Sequence, residues 1–381
     1  MQPVVGVICE YNPFHNGHAR HFQLIRARLP GAAIVCVMSG PCTQRGEMAL
    51  LSPALRARCA LLAGADMVVE LPCAFAVREA EHFAFGGVAA LLRLGCVTHV
   101  SFGCEDDQLP ALARAAWLTE KQPERLSALM REPLASGLPF AAAQGSALER
   151  LLLEEGFADA ASLTQKPNNI LAISYLRALL RLGGDLLPLP VPRAGDYHAG
   201  VLADAQSPSA MALRRAMVMG EAPFDDYMPA PCASLVQSAW REGARCLPDA
   251  LDTALLYRLR GMGKQELLSL PDCTEGLENR LYALCREATT REELLTALKT
   301  KRYSYARLSR LLAHALLGVT GELLAAVEQP SYLRLLGFRE RARDLLAGCT
   351  PLVSKPARGP IDDPLYQLDV RAYDLWALGA R

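Results

Sequence analysis

Residues 4–18 read VVGVICEYNPFHNGH. The first six, from Val4 to Cys9, are apolar and mostly β-branched, as a strand buried on both faces requires. The polar run that follows, Glu10-Tyr11-Asn12-Pro13-Phe14-His15-Asn16-Gly17-His18, gives way at residue 17 to helical spacing that lasts to residue 28. The same alternation recurs downstream. Apolar runs at 33–38 (AIVCVM), 67–71 (MVVEL) and 97–102 (VTHVSF) are separated by helical patterns at 53–63 and 81–93. This β-α-β-α order predicts an α/β fold, a doubly wound parallel sheet. In such sheets ligands bind outside the carboxyl ends of the strands. The segments there, CEYNPFHNGH, SGPCTQRGE, PCAF and GCED, hold much of the His, Asn, Gly and acidic content of the first hundred residues.

The run from Glu10 to His18 carries the chemistry. Histidines three apart at a helix start share one face, and Gly17 between them lets a flat ring or a phosphate come close to the backbone. A helix N-terminus adds N–H groups without intrahelical partners, which suit an anion. Imidazole donors aimed at a phosphate oxygen stabilise charge that grows during attack at phosphorus. Neither GxGxxG nor GxxxxGK[ST] occurs, so dinucleotide-fingerprint and P-loop readings lack their defining residues.

Composition narrows the class. The 381 residues, 51% of them hydrophobic, are enough for two domains of a soluble globular protein. The longest uncharged stretches, 29–44 and 133–148, contain Pro, Gly and Ser, so no membrane span is expected. The N-terminus lacks a basic start and an uninterrupted apolar core, which predicts a cytoplasmic protein without a secretory signal. Twelve cysteines never form a CxxC pair and several sit in apolar runs, as reduced core residues do. With 40 Lys and Arg against 40 Asp and Glu, any nucleic acid must be bound by a local patch, because the global charge attracts nothing at long range.

From 108 to 185 the pattern is helical, and a proline-rich stretch, LLPLPVPRAGDYH (186–198), ends it. Ser207 or Ser209 could then cap a short basic helix in SPSAMALRRAM (207–217). The loop APFDDYMPAPCAS (222–234) marks a boundary between residues 1–222, an α/β unit with helical insertions, and residues 223–381, where 235–348 are almost all helix-patterned.

A strand followed by His-x-Gly-His at the first helix resembles the HxGH nucleotidyltransferase superfamily. The longer blocks are more specific. EYNPFHNGH, MSGPCTQRGE (38–47), GADMVVELP (64–72), SFGCE (101–105), KPNNILAISYL (166–176) and SAMALRRAM (209–217) together resemble the bacterial tRNA(Met) cytidine acetate ligases, and KRYSYARLSRLL (301–312) extends the likeness. The resemblance implies a doubly wound sheet of the HxGH type with a mostly α-helical C-terminal domain. It also implies a two-step reaction. Acetate and ATP give acetyl-adenylate and pyrophosphate, and the acetyl group then passes to the wobble cytidine of elongator tRNA(Met) as N4-acetylcytidine. Activation must precede transfer, since an exocyclic cytosine amine is a poor nucleophile and a carboxylate a poor electrophile.

Carried over by position, the resemblance implies that His15 and His18 are catalytic. ATP would contact the loop from Val7 to Arg20, above all Val7, Ile8, Cys9, Glu10, Tyr11, Asn12, Pro13, Phe14, His15, Asn16, Gly17 and His18, with Gly103, Asn168 and Arg193. The block from Ser209 to Arg214 resembles the element that superfamily members set over the β- and γ-phosphates; a plain capped basic helix is the alternative. Gln44, Arg45 and Glu47 could face acetate, the α-phosphate or the cytosine, or form a salt-bridged loop. Asp66 and Glu70 read as orienting or ion-paired residues, and no carboxylate pair names ligands for a Mg2+ ion arriving with ATP. The chain departs from the family at Pro41, Cys42, Pro53, Cys104 and Met211, around the phosphate side. His21, His82, His99, His198 and His314 read as structural.

Residues 297–310 carry Lys299, Lys301, Arg302, Arg307 and Arg310, no acid, and Tyr303 and Tyr305. Basic side chains could meet RNA phosphates while a tyrosine stacks on an unpaired anticodon base; a solvated helix face is the plainer reading. A small-molecule nucleotidyltransferase would share His15 and His18 without needing this segment. A weak RNA-binding scaffold would not need an intact HNGH.

Overall fold

The computed structural model describes residues 2–105, 108–157, 163–192, 205–206, 208–221, 224–300 and 302–380. Its strands are β1 (Val4–Cys9), β2 (Ala33–Ser39), β3 (Met67–Leu71), β4 (His99–Cys104), β5 (Leu187–Pro192) and β6 (Arg334–Phe338). They form one sheet in the order β5-β4-β1-β2-β3-β6, parallel except for β6, which runs antiparallel to β3. The chain winds outward from β1 to β3 and then returns to the other side of β1 through β4 and β5. The switch point therefore lies between β1 and β4, where a crevice opens at the carboxyl ends.

Helices cover both faces. In chain order they are α1 (Asn16–Arg28), α2 (Pro53–Ala63), α3 (Cys73–Ala76), α4 (Ala80–Leu94), α5 (Leu109–Lys121), α6 (Pro123–Ala135), α7 (Phe140–Glu154), α8 (Pro167–Leu182) and α9 (Ala210–Met219). The C-terminal part adds α10 (Ala230–Arg241), α11 (Asp252–Gly261), α12 (Lys264–Leu268), α13 (Leu277–Leu284), α14 (Arg291–Leu298), α15 (Tyr305–Leu317), α16 (Gly321–Ala325), α17 (Arg343–Ala347) and α18 (Pro364–Gly379). Alternate strand residues feed two cores: Val5, Val7, Ile34, Cys36 and Val68 face one, while Val4, Ile8, Val35, Val37 and Val69 face the other. A third core joins α11 to α15 through Leu255, Leu259, Leu294, Leu308 and Leu312. On the sheet, a side chain at Gly6 or Gly87 would collide with Leu91 or Ile8, so both glycines let α4 lie directly on β1.

Two strands depart from the sequence expectation. The proline-rich stretch after 185 yields β5, an edge strand. Leu187 N–H donates to Thr98 O at 3.0 Å, and the prolines occupy the alternate positions 188, 190 and 192, whose backbone nitrogens face away from β4. The second is β6, which arises in a region read as almost all helix and covers the open edge of β3. Behind it, α18 places the buried carboxylate of Asp369 where its Oδ1 accepts the Cys73 N–H at 2.7 Å, at the start of α3. Ten cysteines are buried; half-buried Cys96 and Cys349 set their sulfurs 3.1 Å apart. No helix among the described residues is long and apolar enough to cross a membrane.

Candidate active site

The loop leaving β1 is shaped by an aromatic cluster. Tyr11, in the left-handed region at φ 48°, tucks its ring against Phe14 and His18 at centroid distances of 4.9 and 4.8 Å. Phe14 is fully buried. His15 then caps α1: its carbonyl accepts the His18 N–H at 2.9 Å, while its own N–H donates to His18 Nδ1 at 3.2 Å. The two imidazoles stack with centroids 3.6 Å apart. Because Nδ1 of His18 is an acceptor, the neutral ring carries its proton on Nε2, which makes that atom a donor.

These groups line a cavity of about 320 Å³ at the switch point. Its wall includes Val7, Ile8, Cys9, Glu10, Tyr11, Asn12, His15, Gly17 and His18 from β1 and α1, with Gly103 from β4, Asn168 from α8 and Arg214 from α9. Of the other nucleotide contacts the sequence suggested, Pro13, Phe14, Asn16 and Ser209 lie outside the wall, and Arg193 lies outside the described residues. Phe14 is core. Asn16 donates through Nδ2 to Ala205 O and Asp226 O, both at 2.8 Å, and so ties α1 to the approach of α9. Ser209 caps α9, its Oγ accepting the Ala212 N–H at 3.4 Å.

Two helix N-termini thus converge on one space. Arg214 braces them, donating through Nη1 to Asn12 O at 2.8 Å, with Nη2 3.9 Å from Glu47. The N-terminus of α8 differs: the Glu105 carboxylate already accepts from the Asn168 and Asn169 N–H groups at 3.2 and 2.9 Å, and from Asn168 Nδ2 at 2.5 Å. That helix end carries its own anion.

Arg20, the far end of the loop the sequence assigned to ATP, lines the wall as well, whereas Phe83, Leu171 and Tyr175 carried no sequence signal of their own. Gln44 and Arg45, flagged as part of a polar cluster, also face the cavity, and the Gln44 N–H donates to Glu10 Oε1 at 2.6 Å. Burial pushes the Glu10 carboxyl above its ordinary range, against the Gln44 hydrogen bond and the charges of Arg214 and Arg56. Arg56 is buried and donates to the carbonyls of Leu51, Glu10 and Gly40, clamping the loops after β1 and β2 together; burial lowers its pKa. Asp66 and Glu70 are buried and ion-paired. Asp66 accepts from Arg26, Arg341 and the Ile34 N–H, and Glu70 pairs with Arg334 at 3.4 Å.

A model of the family described as HIGH Nucleotidyl Transferase matches residues 1–381. The chain belongs to this HIGH nucleotidyl transferase family. It is 31% identical over 386 residues to a tRNA(Met) cytidine acetate ligase of Thermoanaerobacter sp., covering 98% of this chain and 95% of that one. It is 36% identical over 349 residues to the enzyme of the same name from Syntrophomonas wolfei, covering 90% and 83%. The crystal structure of Thermotoga maritima TmcAL bound with alpha-thio ATP superposes with a TM-score of 0.89 at 30% identity, covering 99% of this chain and 94% of that one.

In this HIGH nucleotidyl transferase the basic segment before and within α15 is more tightly held than its sequence suggests. Tyr303 is buried, its hydroxyl donates to Glu275 O at 3.3 Å, and the Arg307 guanidinium lies 5.2 Å over its ring, so it offers no free face to a base. Arg307 donates to Asp272 O and Thr274 Oγ1, both at 2.9 Å, and Arg302 pairs with Glu275 at 3.0 Å. The Tyr305 hydroxyl donates to Glu292 at 2.7 Å; burial and that carboxylate push its pKa up to about 12. Lys299 is exposed, Arg310 is half-buried, and Lys301 lies outside the described residues. Of the departures from the family pattern, Pro41, Cys42, Pro53, Cys104 and Met211, none lines the switch-point cavity; Cys42 and Met211 line its neighbour.

The other histidines have structural partners where described. His21 bonds Ser101 Oγ at 2.9 Å on the cavity wall, His99 bonds Thr98 Oγ1 at 2.8 Å, His82 pairs with Glu79, and His314 donates to Val77 O at 2.8 Å. His198 lies outside the described residues.

Proposed function

We propose that the chain is an ATP-dependent tRNA(Met) cytidine acetate ligase. One observation carries the reading: the N-termini of α1 and α9, with the stacked His15–His18 pair, Gly17 and Arg214, meet in one cavity at the switch point of the sheet. Its relatives' names and the nucleotide in the Thermotoga maritima structure support the same reading. In the first step an acetate oxygen attacks the α-phosphorus of ATP, the bond to the β-phosphate oxygen breaks, and pyrophosphate leaves with the electron pair. The donors of His18, Arg214 and the two helix ends face the charge that builds on the phosphates. In the second step the exocyclic amine of the wobble cytidine attacks the acetyl carbonyl, AMP leaves, and one amine proton is lost.

No group of three His, Cys, Asp or Glu side chains among the described residues suits a metal ion. A Mg2+ ion arriving with ATP would be held by phosphate oxygens and water, and no step is assigned to it. The exposed Lys299 and Arg302, with Lys301 between them in sequence, are our candidates for tRNA phosphate contacts.

Purified protein given labelled acetate, ATP and bulk bacterial tRNA should yield labelled N4-acetylcytidine in a nuclease digest. Absence of that product, with pyrophosphate released only when a phosphorylated metabolite is added, would assign the site to small-molecule nucleotidyl transfer. His15→Ala and His18→Ala should each lower acetate-dependent ATP–pyrophosphate exchange by at least about 10²-fold.

A further inference from the structure

A second cavity, of about 370 Å³, adjoins the first and shares Arg214 with it. Its floor is apolar, made by Met48, Leu251, Leu255, Leu312 and Leu316, while Glu47 and Arg214 stand on the side nearest the switch-point cavity. Arg215, Arg291 and the Tyr305–Glu292 pair also line it. The space lies between the loop after β2, α9, α11 and α15, so both halves of the chain build it. Resting on the function proposed above, we infer that this second cavity receives the unstacked cytosine of the tRNA, and that Glu47 accepts the hydrogens of its exocyclic amine.

Three features point to that occupant. A base extruded from an RNA loop is held by apolar surfaces against its faces and by polar groups at its edge, which is how this cavity is arranged. A carboxylate is the natural acceptor for a cytosine N4 amine, and an arginine donor beside it suits the ring's N3 and O2 acceptors; uracil, with a carbonyl at that edge, would confront the carboxylate of Glu47. The nucleophile must also reach an acyl carbonyl held in the neighbouring space, and among the described residues only the Arg214 side chain is common to both walls. The chemistry balances. The N4 lone pair forms the C–N bond, the acyl C–O bond to AMP breaks with its electrons leaving on the phosphate, and the N4 proton passes to the Glu47 carboxylate.

Val218 lines this cavity from α9 at 38% exposure, so a larger side chain there fills space without disturbing a core. Val218→Trp should keep acetate-dependent ATP–pyrophosphate exchange at the wild-type rate and lower acetyl transfer to tRNA by at least tenfold. Glu47→Gln should slow transfer from supplied acetyl-adenylate by about 10²-fold, with the loss in the rate of a single turnover and not in tRNA affinity. Wild-type transfer by Val218→Trp, or by Glu47→Gln if the tryptophan variant also loses exchange, would overturn the assignment. A wild-type protein that exchanges no pyrophosphate with acetate and acetylates no tRNA would instead remove the functional reading and this inference with it.

Discussion

His314 shows what a single buried side chain costs this protein on acidification. Its Nε2 donates to Val77 O, and Nδ1 is buried with no hydrogen-bond partner among the described residues. Protonation would put a cation in that interior, and burial holds the imidazole pKa down at about 4 against an ordinary 6.5. The stability tied to the neutral ring is full above pH 6.5 and drains as the pH falls toward 4. His314→Gln, which keeps a donor and does not titrate, should flatten the fall in urea midpoint across that window; an unchanged slope would place the acid sensitivity elsewhere. At this scale legibility divided by locality. The HNGH run could be read because its groups are sequence neighbours on one helix turn. Arg56 could not, because its partners are three backbone carbonyls from two separate loops, which leave no mark in the sequence.

Among elements, β1 to β4 with α1, α2 and α4 were legible because apolar period and punctuation agree there; the single turn α3, read as loop, was not. The proline-rich β5 was legible in principle: a proline at every second position removes donors from only one edge, a pattern that fits an outermost strand. β6 was not, because RLLGF is short and lies among helical periods, and only the open edge of β3 makes it a strand. The packing of α4 on β1 gives the sharpest test of an element. A Cβ at Gly87 would stand 2.7 Å from Ile8, which itself lines the switch-point cavity. Gly87→Val should lower stability by about 2–3 kcal/mol, read in urea denaturation, and raise the KM for ATP as Ile8 is displaced. A stable variant with an unchanged KM would show that α4 can shift without moving the strand.

For the molecule as a whole, zero net charge leaves the proposed RNA binding to local contacts. The helices on either side of the turn in the basic segment, α14 and α15, are latched to the loop after β2: from α15, Ser309 donates to Arg45 O; from α14, Arg291 donates to Gly46 O at 3.1 Å; and a side chain at Gly46, where φ is +75°, would strike the Arg310 backbone. Neutralising Lys299, Lys301 and Arg302 together should leave pyrophosphate exchange intact and weaken tRNA binding. The slope of log affinity against log salt should fall by up to about 0.7–0.9 for each RNA phosphate that no longer meets a cation. Arg302 is already paired with Glu275, so its share should be the smallest. Unaltered binding would move the RNA surface off this segment. The sequence showed that basic residues cluster here, but it could not show that Arg307 and Tyr303 are spent on fixing the turn before α15.

The C-terminal cover over β3 also bears on how the chain is made. β3 ends at Leu71, whereas its antiparallel neighbour begins at Arg334 and the helix that supplies Asp369 follows later still. During translation, therefore, the strand emerges from the ribosome long before its partner exists. The nascent α/β unit presents an unpaired β edge while residues 72–333 are made, a template that invites pairing with other chains. The switch-point crevice can form once the chain has been made through α9, but the sheet behind it closes only after β6 has followed.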